Sequence, residues 1–273
     1  MSDFENDLPP VLESQPSRAT PPPPASPLLA RLLNVIAIPG RVFEEVRASR
    51  HSVWNWLVPA PLYALSLALF TLAVTSMPSN QKWFGEQMAT MKAGQSADLA
   101  EAVKSGKATQ ADADRMLAFT DAISSPRVLK IAGLGFGLGF GLVRVFWWAF
   151  VLWFLARTVF KLPVHFGKAL EVAGLASVAA TIGNLLLLAL LVNFGGSFSG
   201  GGFSLVVEDM ASTPRQTLVA VAMNGMKFWL IALLGVGLAR LTGLPWARGV
   251  FLLAAYWIAT EFLMLAMGAG FAG

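Results

Sequence analysis

Three ionisable residues, Arg144, Lys227 and Glu261, stand inside long apolar stretches of the 273-residue chain. Charged side chains within a membrane are costly and commonly mark an ion or proton pathway. Each of the three lies about 12 residues from the end of its predicted span that faces one common side of the membrane. At 1.5 Å per helical residue, all three lie roughly 18 Å from that side. Two interpretations stay open for this midplane cluster: a buried pair that only fixes helix register, or an anion or proton pathway.

Other site chemistries are excluded by residue type. The chain has no Cys, which removes disulfides, thiolate nucleophiles and Cys-ligated metals, and its two histidines, His51 and His165, are too few for a His-rich metal site. Neither histidine has an acid or serine at motif spacing, and no HExxH or GxSxG is present. The sequence therefore predicts no enzymatic activity, no cofactor and no metal. The small net charge of +4 gives no basic patch for nucleic acid.

The elements that carry the midplane residues are membrane helices. Charged residues make up 13% of the chain, against about 25% in soluble domains, and the apolar set makes up 55%. Five segments are long enough for a hydrocarbon core of roughly 30 Å. The predicted fold is all-α, a polytopic membrane helix bundle of five transmembrane helices: Trp54–Ser76, Val128–Ala156, Gly167–Val192, Thr217–Ala239 and Gly249–Gly270.

Three regions follow along the chain. Residues 1–27 hold half of the 16 prolines and are predicted to be a disordered cytoplasmic tail, either a solubilising tail or a docking peptide for an aromatic-lined groove. Residues 28–52 are predicted to form two short interfacial amphipathic helices, their arginines toward anionic lipid. Residues 53–273 form the membrane domain, including a helical outer loop, 77–127, with helix breaks expected at Gly94 and Gly106.

Flanking cations predict the orientation. The side of the membrane that is predicted to face outward has Arg215, between spans three and four. The long loop on that side, 77–127, balances six cations with six acids. The N-terminus is therefore predicted to be cytoplasmic and the C-terminus outside, in an inner (plasma) membrane. Eight cations flank the spans on the predicted cytoplasmic side: Arg41, Arg47, Arg50, Arg157, Lys161, Lys168, Arg240 and Arg248.

A short internal repeat suggests a duplication. Leu-Ala-Arg157 is followed by Leu162-Pro163 and then Gly167, and Leu-Ala-Arg240 is followed by Leu244-Pro245 and then Gly249. Each copy joins two predicted spans. Spans two–three and four–five are therefore predicted to be a duplicated hairpin, with span one added.

Span two opens with a glycine at every second residue. On a helix these glycines form two thin faces, which lets two neighbouring helices approach closely, so span two is predicted to be central in the bundle. A phosphate loop is excluded because no strand precedes the run and no Lys-Ser/Thr follows it. The first face comprises Gly133, Gly137 and Gly141, and the second Gly135 and Gly139.

The segment Asn34-Val-Ile-Ala-Ile-Pro39-Gly-Arg-Val-Phe43, the five-span layout and the Phe166-Gly167-Lys-Ala stretch resemble the Yip family, the Ypt/Rab-interacting membrane proteins, in its bacterial form. The resemblance covers about residues 28–270. It implies a cytoplasmic N-terminus, five spans and an outer C-terminus. Eukaryotic members are linked to vesicle traffic and Rab GTPases, but this chain lacks their Asp-Leu-Tyr-Gly-Pro motif and its 77–127 loop is long for the family, so Rab binding is not carried over.

Two functions follow as hypotheses. The leading one is an integral membrane scaffold or adaptor that engages membrane lipids and an unidentified membrane protein partner or a second copy of the chain, without catalysis. The alternative is a small transporter or channel whose site is the midplane cluster.

Overall fold

The computed structural model describes residues 26–194 and 214–271, apart from the side chains of a few residues within those ranges, and every regular element in them is a helix. This confirms the all-helical membrane bundle. The predicted tail, 1–27, lies outside the described residues except for Ser26 and Pro27. The helices are α1 (Leu28–Ala37), α2 (Pro39–Ala48), α3 (Trp54–Leu57), α4 (Pro59–Ser76), α5 (Pro78–Lys104), α6 (Gln110–Ile123), α7 (Pro126–Thr158), α8 (Phe166–Phe194), α9 (Pro214–Thr242) and α10 (Trp246–Phe271).

Four of the predicted spans are long and apolar enough within the described residues to cross a membrane: Trp54–Ser76, Pro126–Thr158, Phe166–Asn193 and Gly225–Thr242. The first combines α3 and α4, which Pro59 separates at the first turn of α4. The fifth predicted span, 249–270, falls in α10, which has 26 residues; several of its side chains lie outside the described ones.

Helix α8 has the most neighbours in the bundle. It packs against α4, α7 and α9, and α1, α2 and α3 also contact it. Helix α9 in turn packs against α10. The N-terminal helices and the α7–α8 and α9–α10 turns lie together, at what we call the N-terminal side of the bundle. The prediction that span two is central is therefore wrong, since α8 occupies that position.

One of the two glycine faces of α7 meets α4. A Cβ at Gly137 would lie 2.5 Å from Ala68 Cα, and one at Gly141 would lie 2.6 Å from Ala64 Cα. The hydroxyl of Thr71 also donates to the Gly133 carbonyl at 2.8 Å. The second face, Gly135 and Gly139, meets nothing within 4 Å in the described part of the chain. Its predicted close contact is wrong, because small residues permit close packing without supplying the neighbouring helix.

The hairpin formed by α5 and α6 corrects another prediction. Helix α5 runs through Gly94 without a break, whereas Gly106 has φ +70° and follows the helix end. A helical glycine costs only about 1 kcal/mol relative to alanine. Contacts on both sides of Gly94 hold the helix against α6: the Lys92–Asp121 ion pair at 2.6 Å and the Gln95–Thr120 hydrogen bond at 2.9 Å.

The two turns of the internal repeat share a local geometry. In each, the residue before Leu-Pro has a positive φ: 53° at Lys161 and 73° at Gly243. In each, the leucine N–H then donates back to an alanine carbonyl of the preceding helix, at 3.1 Å in the first copy and 2.9 Å in the second. The repeated residues thus form the same type of helix end in both copies, which supports the predicted duplication.

The glycine contact gives a matched test. We expect Gly137→Ala to lower the free energy of unfolding by about 1–3 kcal/mol, because the new methyl group would overlap the α4 backbone. Gly139→Ala lies two residues away on the same helix and meets open space. It should change stability by less than about 0.5 kcal/mol. Thermal unfolding in detergent would compare the two; equal losses would show that α7 does not meet α4 along this face.

Candidate functional site

Helix α1 buries a charged residue, beside the apolar Val35, and leaves two leucines exposed. Leu29 and Leu33 are 69% and 67% exposed, whereas Arg31 between them is only 5% exposed. The expectation that arginines of this region point toward anionic lipid is therefore wrong for Arg31. A buried arginine needs a polar partner inside the protein.

That partner is a buried polar network at the N-terminal side of the bundle. Arg31 Nη1 donates to Asn55 Oδ1 at 3.2 Å, and Asn55 Nδ2 donates to Glu171 Oε2 at 2.5 Å. Asn55 and Glu171 are both essentially inaccessible. The three residues come from α1, α3 and α8, so one chain of hydrogen bonds joins three helices.

The other oxygen of Glu171 faces Lys168 and His51. Lys168 Nζ lies 3.0 Å from Glu171 Oε1 and also donates to the Val46 carbonyl of α2 at 2.7 Å. His51 Nε2 lies 4.0 Å from the same carboxylate oxygen. Lys168 thereby ties α2 to α8 through one ammonium group.

A second set of charges joins α2 to its neighbours. Glu45 forms an ion pair with Arg41 of its own helix at 3.4 Å, and it lies 3.9 Å from Arg31 of α1. Arg47 donates to the Arg240 carbonyl at 3.2 Å, which links α2 to the end of α9. Helix α2 is amphipathic in the ordinary sense, with Val42, Phe43 and Val46 buried beneath these charges.

The residues that carried the family resemblance lie beside this network. Pro39 is the first residue of α2, and Phe43 is fully buried four residues later. A Cβ at Gly167 would lie 2.6 Å from His51 Nε2, and one at Gly237 would lie 3.6 Å from the Phe43 ring. These residues pack α2 and the loop that follows it against α8 and α9.

The midplane residues are placed more loosely. Arg144 Nη1 donates to the Tyr63 hydroxyl at 3.2 Å. Glu261 Oε1 accepts Trp257 Nε1 of its own helix at 2.9 Å. Lys227 lies on α9, which packs against both α7 and α10. Within the described residues, however, none of the ion pairs shorter than 4.0 Å joins two of these three. Their joint action as a cluster stays a prediction.

A family model described as the Yip1 domain matches residues 33–268. The chain belongs to the Yip1 domain family. No curated protein and no solved structure matches it. The matched segment begins inside α1, after Arg31, and ends inside α10, so this Yip1 domain includes Asn55, Lys168 and Glu171 of the buried network.

The buried polar network of this Yip1 domain is suited to holding the N-terminal helices against the rest of the bundle. Two of its hydrogen bonds, from Asn55 to Glu171 and from Lys168 to the Val46 carbonyl, join residues 116 and 122 positions apart in the chain. Buried charges with good hydrogen bonds specify one arrangement more than they add stability. Sequence reasoning missed Arg31 and Asn55. The available signal was a lone arginine among leucines in α1 and an asparagine between two tryptophans at the start of span one.

Neutralising the central carboxylate tests the network. We expect Glu171→Gln to lower the free energy of unfolding of the Yip1 domain by about 3 kcal/mol, since Lys168 would lose its buried counterion. Thermal or denaturant unfolding in detergent measures the change. Glu44→Gln is the matched control: its carboxylate is about half exposed and pairs with Arg240 at 3.8 Å. It should cost less than about 1 kcal/mol. A loss no larger in Glu171→Gln than in Glu44→Gln would contradict the assigned role of the network.

Proposed function

We propose that this Yip1-domain protein is an integral membrane adaptor without catalytic activity, in a plasma membrane, with its N-terminus cytoplasmic. In this proposal α1 engages lipid, and the α5–α6 hairpin engages a protein partner on the outer side. Two surfaces support the assignment, one at each end of the bundle. The absence of a nucleophile–base pair from the sequence motifs supports the non-catalytic role.

The lipid surface is α1 with the chain that follows α2. Leu29 and Leu33 of α1 are exposed, and so are Val53 and Trp54 just before the first span. Leucine and tryptophan side chains of this kind insert at the boundary between headgroups and acyl chains. Because Arg31 is held from inside by Asn55, α1 keeps its apolar face outward.

The observation that carries the adaptor role is an apolar stripe on α6. Met116, Phe119 and Ile123 are spaced three and four residues apart, and all three are exposed, Phe119 by 65%. An adjacent side of α6 already packs on α5 through Thr120. An exposed apolar stripe on a structured hairpin outside the spans is typical of a binding surface for another helix.

The charges of α6 indicate what the partner would present. The helix carries three aspartates, Asp112, Asp114 and Asp121, and one arginine, Arg115. A complementary partner is an amphipathic helix with an apolar stripe and basic residues along its edge. Such contacts give a protein–protein interface, and a lipid surface would not require them.

Site-specific photo-crosslinking tests this surface. A photoreactive phenylalanine analogue at Phe119 should form a stoichiometric adduct with a second protein in native membranes. The same analogue at Ala118, exposed on the other side of α6, should not. Mass spectrometry of the adducts would identify what is joined. Adducts only to lipid, only to a second copy of this chain, or equal at both positions would overturn the proposal.

A further inference from the structure

The turn between α7 and α8, residues 159–165, joins two helices that are each long and apolar enough to cross a membrane. A turn between two spans lies at the level of the lipid headgroups. Three basic residues in the turn and in the last turn of α7 are exposed: Arg157, Lys161 and His165. None of the contacts assigned to the adaptor role involves them.

Lys161 has an unusual backbone conformation for a long side chain. Its φ of 53° is the only positive value at a non-glycine residue in the described part of the chain. The position closes α7, since the next N–H, that of Leu162, donates back to the Ala156 carbonyl at 3.1 Å. Helix ends of this kind usually carry glycine, because a Cβ is disfavoured in the left-handed region. The matching turn between α9 and α10 has Gly243 there, at φ 73°. The first turn therefore keeps a cation where glycine would be less strained.

The arginines of the two turns differ in the same way. Arg240, at the end of α9, pairs with Glu44 at 3.8 Å. Arg157, its counterpart at the end of α7, lies over the Trp153 ring, 5.6 Å from the centroid. No carboxylate of the described residues lies within 4.0 Å of the Arg157 guanidinium or of the Lys161 ammonium. The first turn thus carries positive charge that this part of the protein does not neutralise.

Exposed apolar side chains flank these cations in the chain. Phe154, Val159 and Phe166 are 47%, 52% and 38% exposed. Trp153 links the two helices, because its ring packs edge-on against Phe166 with centroids 6.2 Å apart. Exposed aromatic and aliphatic groups at this level of a membrane contact the boundary between headgroups and acyl chains. Cations beside such groups fit a ligand that has both an anionic head and apolar chains.

We propose that the α7–α8 turn binds the headgroup of an anionic phospholipid, with Arg157 and Lys161 as its cationic ligands. Membrane orientation depends on the number of cations in a turn, so it accounts for the charge but not for a lysine at the left-handed position. A soluble anion would not require the exposed apolar residues. The site uses no residue of α1 or of the α5–α6 hairpin, so this proposal and the adaptor proposal can fail separately.

Native mass spectrometry of the purified full-length protein tests the site. The protein in a zwitterionic detergent would be titrated with phosphatidylglycerol and, separately, with phosphatidylcholine of the same chain length. Both lipids have a phosphodiester, but only phosphatidylglycerol has a net negative charge. We expect phosphatidylglycerol to bind more tightly, by about fivefold for each cation engaged.

The second turn indicates which variant to make. Lys161→Gly copies the residue found at the matching position of that turn, so the backbone conformation is preserved while the charge is removed. It should weaken phosphatidylglycerol binding about fivefold, whereas Lys161→Arg, which keeps the charge, should stay within about twofold. Arg41→Gln is the matched control. It removes the same charge from the same side of the bundle, but Arg41 already pairs with Glu45 at 3.4 Å, and its binding should stay unchanged.

Unfolding temperatures in the same detergent without added phospholipid show whether each variant is folded. Where Lys161→Gly is less stable, Arg157→Gln takes its place in the comparison with Arg41→Gln. A selective loss of phosphatidylglycerol binding at an unchanged unfolding temperature supports the site. Three results would overturn it: equal binding of the two lipids, equal losses in the turn variant and in Arg41→Gln, or displacement of phosphatidylglycerol by inorganic phosphate, which would make a soluble anion the ligand.

Discussion

The hydrogen bond between Asn55 and Glu171 joins the start of the first span to the helix with the most neighbours in the bundle. Glu171 is fully buried, and a buried carboxylate is tolerated only when it is paired and hydrogen-bonded. Its two oxygens are divided between Asn55 on one side and Lys168 on the other. Arg31 and the Val46 carbonyl extend these contacts into α1 and α2. The N-terminal helices are thus held by groups that cannot be rearranged without exposing a charge to an apolar interior.

This anchoring accounts for the different surfaces of α1 and α2. Helix α1 hydrogen-bonds its arginine to Asn55 and leaves Leu29 and Leu33 exposed. Helix α2 buries Phe43, and its charged residues Glu44 and Arg47 contact the end of α9. The two helices are both ten residues long, but of the two only α1 buries an arginine.

Local sequence features predicted the helices and the contact between α7 and α4. Hydropathy fixes the spans, and the Gly137–Gly141 spacing identifies a face that a neighbour can approach. The same spacing cannot tell whether a neighbour is present, which is why Gly139 was assigned a contact it lacks. Depth along a helix is likewise predictable, and it placed Arg144 and Glu261 at one level. Depth does not determine lateral distance, and these two side chains have different hydrogen-bond partners.

The buried network could not be predicted because it is formed by residues far apart in the chain. Asn55 and Glu171 are separated by 116 positions. Arg31 gives a local signal only after the outward face of α1 is known to be apolar. In the internal repeat, the position four residues after Gly167 is Glu171 and the position four residues after Gly249 is Leu253, and both are fully buried. Only the first copy, whose helix α8 contacts α1 and α3, carries the carboxylate.

The central claim is that the Glu171 network fixes α1 on the bundle. The chain has no Cys, so spin labels can be placed at two introduced cysteines, Leu33→Cys on α1 and Ile131→Cys on α7, both at exposed positions. Pulsed electron–electron resonance in lipid would measure the distance between them. The account predicts a single narrow distribution that becomes broad when Glu171→Gln is added and stays narrow with Glu44→Gln. An equally narrow distribution in the folded Glu171→Gln protein would contradict it.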